Sequence, residues 1–301
     1  MSEAILGQTI DGSRIQEFEH FTVESFSRGK IKADPGKNED SLVVTPTTFA
    51  VIDGATSNGI ISFEGKSEGQ FASRMVAEAL RTADPQLFGR ELVDFVTDHL
   101  AKALKKWPHS AVFEESPELR GTAVFTAARI IEEQMIVTQI GDVAFRVNGV
   151  KLHSNDLKID DVHAKKRIEI IKAERQAHPD LSEEELLKRG REAVVENIKY
   201  QFAHYKNNSN SPFGYGAIDG TRVPDEYITF FTFNLSDIET LEIFSDGYFR
   251  VADAPTIESW EEYHEYVERV DPAKIKDFPS TKGSSKDSLT DDRTVLIYKK
   301  K

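Results

Sequence analysis

Along the chain the spacing of apolar positions switches between a period of two and a period near 3.6, and the switches mark out its elements. Phe21–Phe26 and Ser41–Thr45 read as strands, and the apolar run Phe49-Ala50-Val51-Ile52 stops abruptly at Asp53-Gly54. From Glu68 to about Thr82, Phe71, Met75, Val76, Ala79 and Leu80 recur at helical spacing. Leu92, Phe95, Val96, His99 and Ala103 do the same and predict a second helix ending near Trp107-Pro108. Gly121–Ile131 and Met135–Val147 predict a strand pair, the second interrupted at Gly141-Asp142. From about 156 to 205 the chain is charge-rich, poor in glycine and helical, with Ser182 and Glu185 marking a capped helix start. Strand patterns return at Tyr227–Phe233 and Thr240–Phe244, the latter ended by Asp246-Gly247. A helix carrying Trp260, Tyr263 and Val267 on one face follows, then a Ser/Lys/Asp-rich loop and a strand, Thr294–Tyr298. Strands and helices come in blocks, not in βαβ alternation, which predicts an α+β fold with antiparallel sheets covered by helices.

Charge and composition narrow the partners. The net charge of −13 disfavours a phosphate backbone as ligand, so nucleic acid is not expected. There is no cysteine, which removes disulfides, thiolate zinc sites and cysteine nucleophiles. No stretch approaches the roughly 20 apolar residues of a membrane-crossing helix. Met1–Gly7 lacks the basic start and apolar run of a secretory signal, so a soluble cytoplasmic protein, monomeric and free of membrane, is expected.

The candidate chemistry is acidic. Asp53-Gly54 and Asp246-Gly247 each put a carboxylate where a buried-looking strand ends, beside a glycine that permits close approach to the main chain. Glu39-Asp40 and Asp291-Asp292 stand just before two other strands. One Asp-Gly alone is the ordinary dipeptide of a hairpin turn. Four acidic groups converging on one edge of a sandwich repel one another unless cations neutralise them, and hard oxygen ligands suit Mg²⁺ or Mn²⁺.

In order and spacing these segments resemble the PP2C-type (PPM) metal-dependent serine/threonine phosphatases. The resemblance runs through Asn38-Glu39-Asp40-Ser41, Phe49-Ala50-Val51-Ile52-Asp53-Gly54, Arg120-Gly121-Thr122-Ala123, Gly141-Asp142, Phe244-Ser245-Asp246-Gly247 and Asp291-Asp292-Arg293-Thr294. It implies one PP2C-like domain over 1–301, a two-layer antiparallel β sandwich flanked by helices in αββα order. The charged helical segment at about 156–205 would be an insertion. It also implies two Mn²⁺ or Mg²⁺ ions and hydrolysis of phosphoserine or phosphothreonine in a protein or peptide by direct attack of a metal-bridging hydroxide. Carried over by residue, Asp53 bridges both metals and the Gly54 carbonyl serves the first. Asp246 and Asp291 hold the second, while Asp40, with Glu39 beside it, acts mainly through coordinated waters. Asp142 is nominated for a third, weaker site.

Two positions depart from the family pattern. Where many members carry a phosphate-gripping arginine this chain has Pro35, and Lys37 is the nearest basic replacement. Where many carry a histidine after the first Asp-Gly, this chain reads Ala55-Thr56-Ser57, so that leaving-group acid is missing. The rival from another class is a catalytically weak PP2C-like module that binds a protein partner. A serine-hydrolase elbow, Gly65-Lys66-Ser67-Glu68-Gly69 with Asp246 and His264, is a further alternative on motif alone.

Overall fold

A computed structural model of the chain describes residues 12–55, 62–108, 110–155 and 157–301. Thr56, Ser57, Asp156 and the stretch Met1–Gly7, all part of the sequence patterns above, lie outside the described residues. Among those described, eleven strands form two antiparallel sheets. In chain order they are β1 (Ser13–Glu17), β2 (Phe21–Arg28), β3 (Ser41–Val44), β4 (Thr48–Ala55), β5 (Thr122–Ile131), β6 (Gln134–Ile140), β7 (Ala144–Val147), β8 (Lys151–His153), β9 (Thr229–Asn234), β10 (Thr240–Phe244) and β11 (Arg293–Lys300). One sheet has the order β1-β2-β11-β10-β7-β8 and the other β3-β4-β5-β6-β9. The helices are α1 (Glu68–Thr82), α2 (Gly89–Lys105), the short α3 (Val112–Glu115), α4 (Lys158–Ala177), α5 (Glu183–His204) and α6 (Ile257–Val270). The fold is the α+β sandwich expected, with helices outside both sheets.

Period-two alternation explains the layering. On β4, Phe49 and Val51 face the other sheet and pack with Phe145, Ile243, Leu296 and Tyr298. Ala50 and Ile52, one position out of step, face α1 and α2 and meet Val76, Leu80, Leu92 and Val96. On β11, Leu296 and Tyr298 point between the sheets while Val295 and Ile297 meet Trp260 of α6. A strand buried on both faces has no polar phase, which is why Phe49–Ile52 reads as an unbroken apolar run. Each fully buried aliphatic or aromatic side chain contributes about 1.5–3 kcal/mol. α1 begins where Ser67 accepts a hydrogen bond from the Gln70 amide and Gln70 reciprocates on the Ser67 backbone, a capping box.

The run Met135–Val147, read as one strand, is two. Gly141 adopts φ +75° and the chain crosses there from β6 in one sheet to β7 in the other. β1, β8 and α3 went unread because they are too short to show a period. Of the Ser182–Glu185 capping pair, only one half forms: Ser182 Oγ accepts from the Glu185 amide at 3.2 Å, while the Glu185 carboxylate pairs with Arg189.

Candidate functional site

Sheet register collects acidic residues at one edge. Antiparallel pairing sets Ser41 opposite Ile52, so Asp40, just before β3, and Asp53, near the end of β4, are neighbours. In the other sheet Phe244 pairs with Ala144 and with Val295, which draws Asp142, Asp246 and Asp291 to the same end. The two sheets meet there. Burial pushes the Asp53 carboxyl well above its ordinary range, reinforced by Asp40, Asp246, Asp142 and Asp291 in that order. Burial and then Asp291 push Asp246 up to about 6, and a hydrogen bond with Asp53 works the other way. Asp246 is enclosed by protein yet solvent-accessible, because it opens into a cleft. Asp40 is raised by burial and by Asp292, and its Oδ2 accepts a hydrogen bond from Ser245 Oγ at 2.8 Å. Five of the aspartates nominated from sequence therefore share one electrostatic environment.

The glycines of the two Asp-Gly pairs serve close packing. Gly54 and Gly247 are absent from the positive-φ positions of the chain. A Cβ on Gly54 would collide with the Gly69 and Glu39 carbonyls, and one on Gly247 with the Asp292 carbonyl. The backbone that approaches these glycines is thus the protein's own: the start of α1 and the segment carrying Asp291-Asp292.

Two lysines, neither singled out as a partner of these acids from the sequence, enter the cluster. Lys30 Nζ lies 2.8 Å from Asp292, 3.0 Å from Glu39 and 3.3 Å from Asp291, and the Lys30 amide donates to Asp292 Oδ1 at 2.7 Å. Burial opposes its charge, but Asp291, Glu39 and Asp292 more than compensate and hold it protonated. Lys282 Nζ contacts the other oxygen of Asp291 at 2.6 Å. Burial would raise Asp291, but Lys282 and then Lys30 bring it below the ordinary carboxylate range. Glu39 also accepts Ser67 Oγ at 2.5 Å. Ser67 is accordingly the cap of α1 held on a carboxylate, and His264 packs on α6 beside Tyr248, so the hydrolase elbow is set aside.

The cleft over this edge has a volume of about 1110 Å³. Asp53, Gly54, Asp142, Asp246 and Asp291 line its floor, and Lys37 stands on its rim, exposed and 3.9 Å from Asp34. The opposite wall is the α4–α5 pair, through Asp160, Arg191, Gln201 and Phe202. Sequence placed no limit on where this charged segment sits; the structure puts it on the acidic edge. Arg191 Nη1 donates to the Thr281 carbonyl at 3.0 Å, and Arg167 donates to the carbonyls of Ala273, Lys274 and Ser280, so the helix pair is fastened to the loop before β11. Burial raises Asp160 to about 6, partly offset by Gln201 and Lys282.

The donor set is all oxygen and carries more negative charge than Lys30 and Lys282 neutralise, which fits a hard divalent cation. Among the described residues no group of three or more acidic or histidine side chains stands ready to hold a metal ion, since Asp291 faces lysines and Asp246 faces Asp53. No histidine lines the cleft among the described residues, and no helix there is long and apolar enough to cross a membrane.

No family model matches the sequence, and no curated protein matches it. Among solved structures the chain is similar to a bacterial serine phosphatase, at TM-score 0.50 and 13% identity over 93% of this chain and 98% of that one. It is also similar to the serine/threonine phosphatase PstP/Ppp of Mycobacterium tuberculosis, at TM-score 0.46 and 18% identity over 93% and 99%. For Stp1 of Staphylococcus aureus the values are 0.48 and 12% over 94% and 98%.

Proposed function

We propose that this chain, which has the PPM-type phosphatase fold, is a divalent-metal-dependent phosphatase acting on phosphoserine or phosphothreonine in a protein or peptide. On this reading 1–301 is one such domain, with the α4–α5 pair as its elaboration. The observation that carries it is the meeting of Asp40, Asp53, Asp142, Asp246 and Asp291 at one open sheet edge with uncompensated negative charge.

Asp53, Asp246 and Asp291 would hold two Mn²⁺ or Mg²⁺ ions together with the Gly54 carbonyl. Asp40 and Glu39 would act from behind, and Asp142 at a third position. When bound, the ions supply Lewis acidity toward water and phosphoryl oxygens. The chain's own residues do the rest. Ser245 and Thr294 keep Asp40 aimed at the edge, the β4 and β10 backbones fix Asp53 and Asp246, and the α4–α5 wall limits access of water and substrate. Lys37 on the rim is a point charge for the incoming phosphate, without the bidentate grip of an arginine. With no histidine on the cleft wall among the described residues to protonate a leaving group, phenolic leaving groups need less help than alkoxide ones, a difference of roughly 10²–10⁴ where a positioned acid is missing.

The test is hydrolysis of an aryl phosphate and a phosphothreonine peptide by metal-stripped protein, with Mn²⁺, with Mg²⁺ and with chelator. Turnover should require metal and favour the aryl ester. No turnover with any metal, from folded protein, would sink the enzyme and leave the partner-binding module, a reading that the lysine-paired Asp291 favours.

A further inference from the structure

Asp291 is an unusual carboxylate for an edge that wants a metal, because both of its oxygens are engaged by the protein. Oδ1 accepts from the Asp292 amide at 3.0 Å and faces Lys30 at 3.3 Å, and Oδ2 faces Lys282 at 2.6 Å. The two lysines are not equivalent. Lys30 is anchored independently by Glu39 and by two bonds to Asp292, one from its own backbone amide. Among the described residues Lys282 has its close ion pair with Asp291 alone, and its charge also bears on Asp246 and Asp160. Its ammonium therefore sits on the oxygen of Asp291 that Lys30 leaves open, within electrostatic reach of Asp246 and Asp160. It arrives there by construction: Arg191 holds the Thr281 carbonyl next to it, Arg167 holds Ser280, and the Ser284 amide donates to the Pro272 carbonyl at 2.8 Å.

We propose that Lys282 is a tethered counter-cation that occupies Asp291 in competition with the divalent ion. The proposal rests on the metal reading of the acidic edge given above and adds that metal entry is an exchange. An ammonium group and a divalent ion at the same carboxylate oxygen compete, since they need the same lone pairs and like charges so close repel in a partly buried site. Lys282 keeps the metal-free edge from flying apart, and it weakens apparent metal affinity by the same interaction. The α4–α5 pair, through Arg191 and Thr281, sets how firmly the lysine is seated.

The experiment compares wild type, Lys282→Met, Lys282→Arg and Lys286→Met as intact, metal-stripped proteins. Mn²⁺ affinity is read by calorimetric titration and melting temperature is read in chelator and in saturating Mn²⁺. Lys286 is an exposed lysine in the same loop and controls for the loss of one positive charge. Lys282→Met should bind Mn²⁺ about tenfold more tightly, with Lys282→Arg no tighter than wild type and Lys286→Met within about twofold. Melting should cross over: Lys282→Met below wild type in chelator and above it in Mn²⁺. Unchanged or weaker binding by Lys282→Met, while wild type binds, would overturn the proposal and leave the metal site standing. Absence of Mn²⁺ binding in every protein would overturn both.

Discussion

Ser245, at the end of one sheet, donates its hydroxyl to Asp40 of the other at 2.8 Å while accepting from the Thr294 amide at 2.9 Å. One small side chain thus links the strand ends that bear Asp40, Asp246 and Asp291. Ser245→Ala would leave a buried carboxylate and a buried amide short of a partner, costing about 1–3 kcal/mol. Chemical denaturation should show that loss, and Mn²⁺ titration should show weaker binding as Asp40 loses its aim. A variant as stable as wild type would mean the serine is incidental.

Asp246 carries a cost in the metal-free protein. Its pKa is raised to about 6, so the penalty of holding it charged is absent below about 4, grows between 4 and 6, and is fully present at neutral pH. Asp246→Asn should therefore melt slightly higher than wild type in chelator at pH 7.5, by about a degree or two once its solvent exposure is allowed for. The same variant should lose the stabilisation by Mn²⁺ and at least a hundredfold of metal-dependent hydrolysis. A metal-free melting point equal to or below wild type would contradict the strain assigned to this edge.

Asp160 permits a cleaner pH experiment because it is not among the nominated ligands. It too is raised to about 6 by burial, and Gln201 Nε2 donates to its Oδ1 at 3.2 Å, a bond that asparagine keeps. Asp160→Asn should be more stable than wild type above pH 6, by about 1–2 kcal/mol after allowing for its partial exposure, and equal to it near pH 4. A stability difference that does not change with pH would rule out desolvation as its cause.

Much of this was legible in the sequence, and what was missed has a common reason. The sandwich was readable because β4 and β11 bury both faces and leave continuous apolar runs, each bounded by acid. The cluster of Asp40, Asp53, Asp142, Asp246 and Asp291 was readable because strand ends recur in register with those acids. Lys30, Lys282, Asp160 and Arg191 were opaque. Each acts through a partner more than 90 residues away, or through a loop, 271–284, whose path follows from tertiary contacts and not from any local period. The close approach that Gly54 and Gly247 permit was legible, but what approaches, the chain's own carbonyls at Glu39, Gly69 and Asp292, follows from tertiary packing alone.

That packing is itself testable. Gly247→Ala places a methyl group against the Asp292 carbonyl, and the backbone must yield at the cost of about 1–3 kcal/mol. At Gly65, with φ +82° and open space around it, alanine meets only conformational strain, on the order of 1 kcal/mol. Because Asp291 lies next to the displaced carbonyl, Gly247→Ala should lose Mn²⁺ affinity and Gly65→Ala should not. Equal metal binding by both would show that the backbone at 291–292 can shift without disturbing the acids.

Strand β11 lies between β2 and β10, in the interior of its sheet. During synthesis the ribosome delivers Asp40 and Asp53 long before the segment that must slot between those two strands. A nascent chain lacking residues 291–300 has an unzipped sheet and only part of its acidic edge, so it is exposed to proteases and chaperones. On the proposed reading, competence for divalent ions arises late, once this last strand is in place.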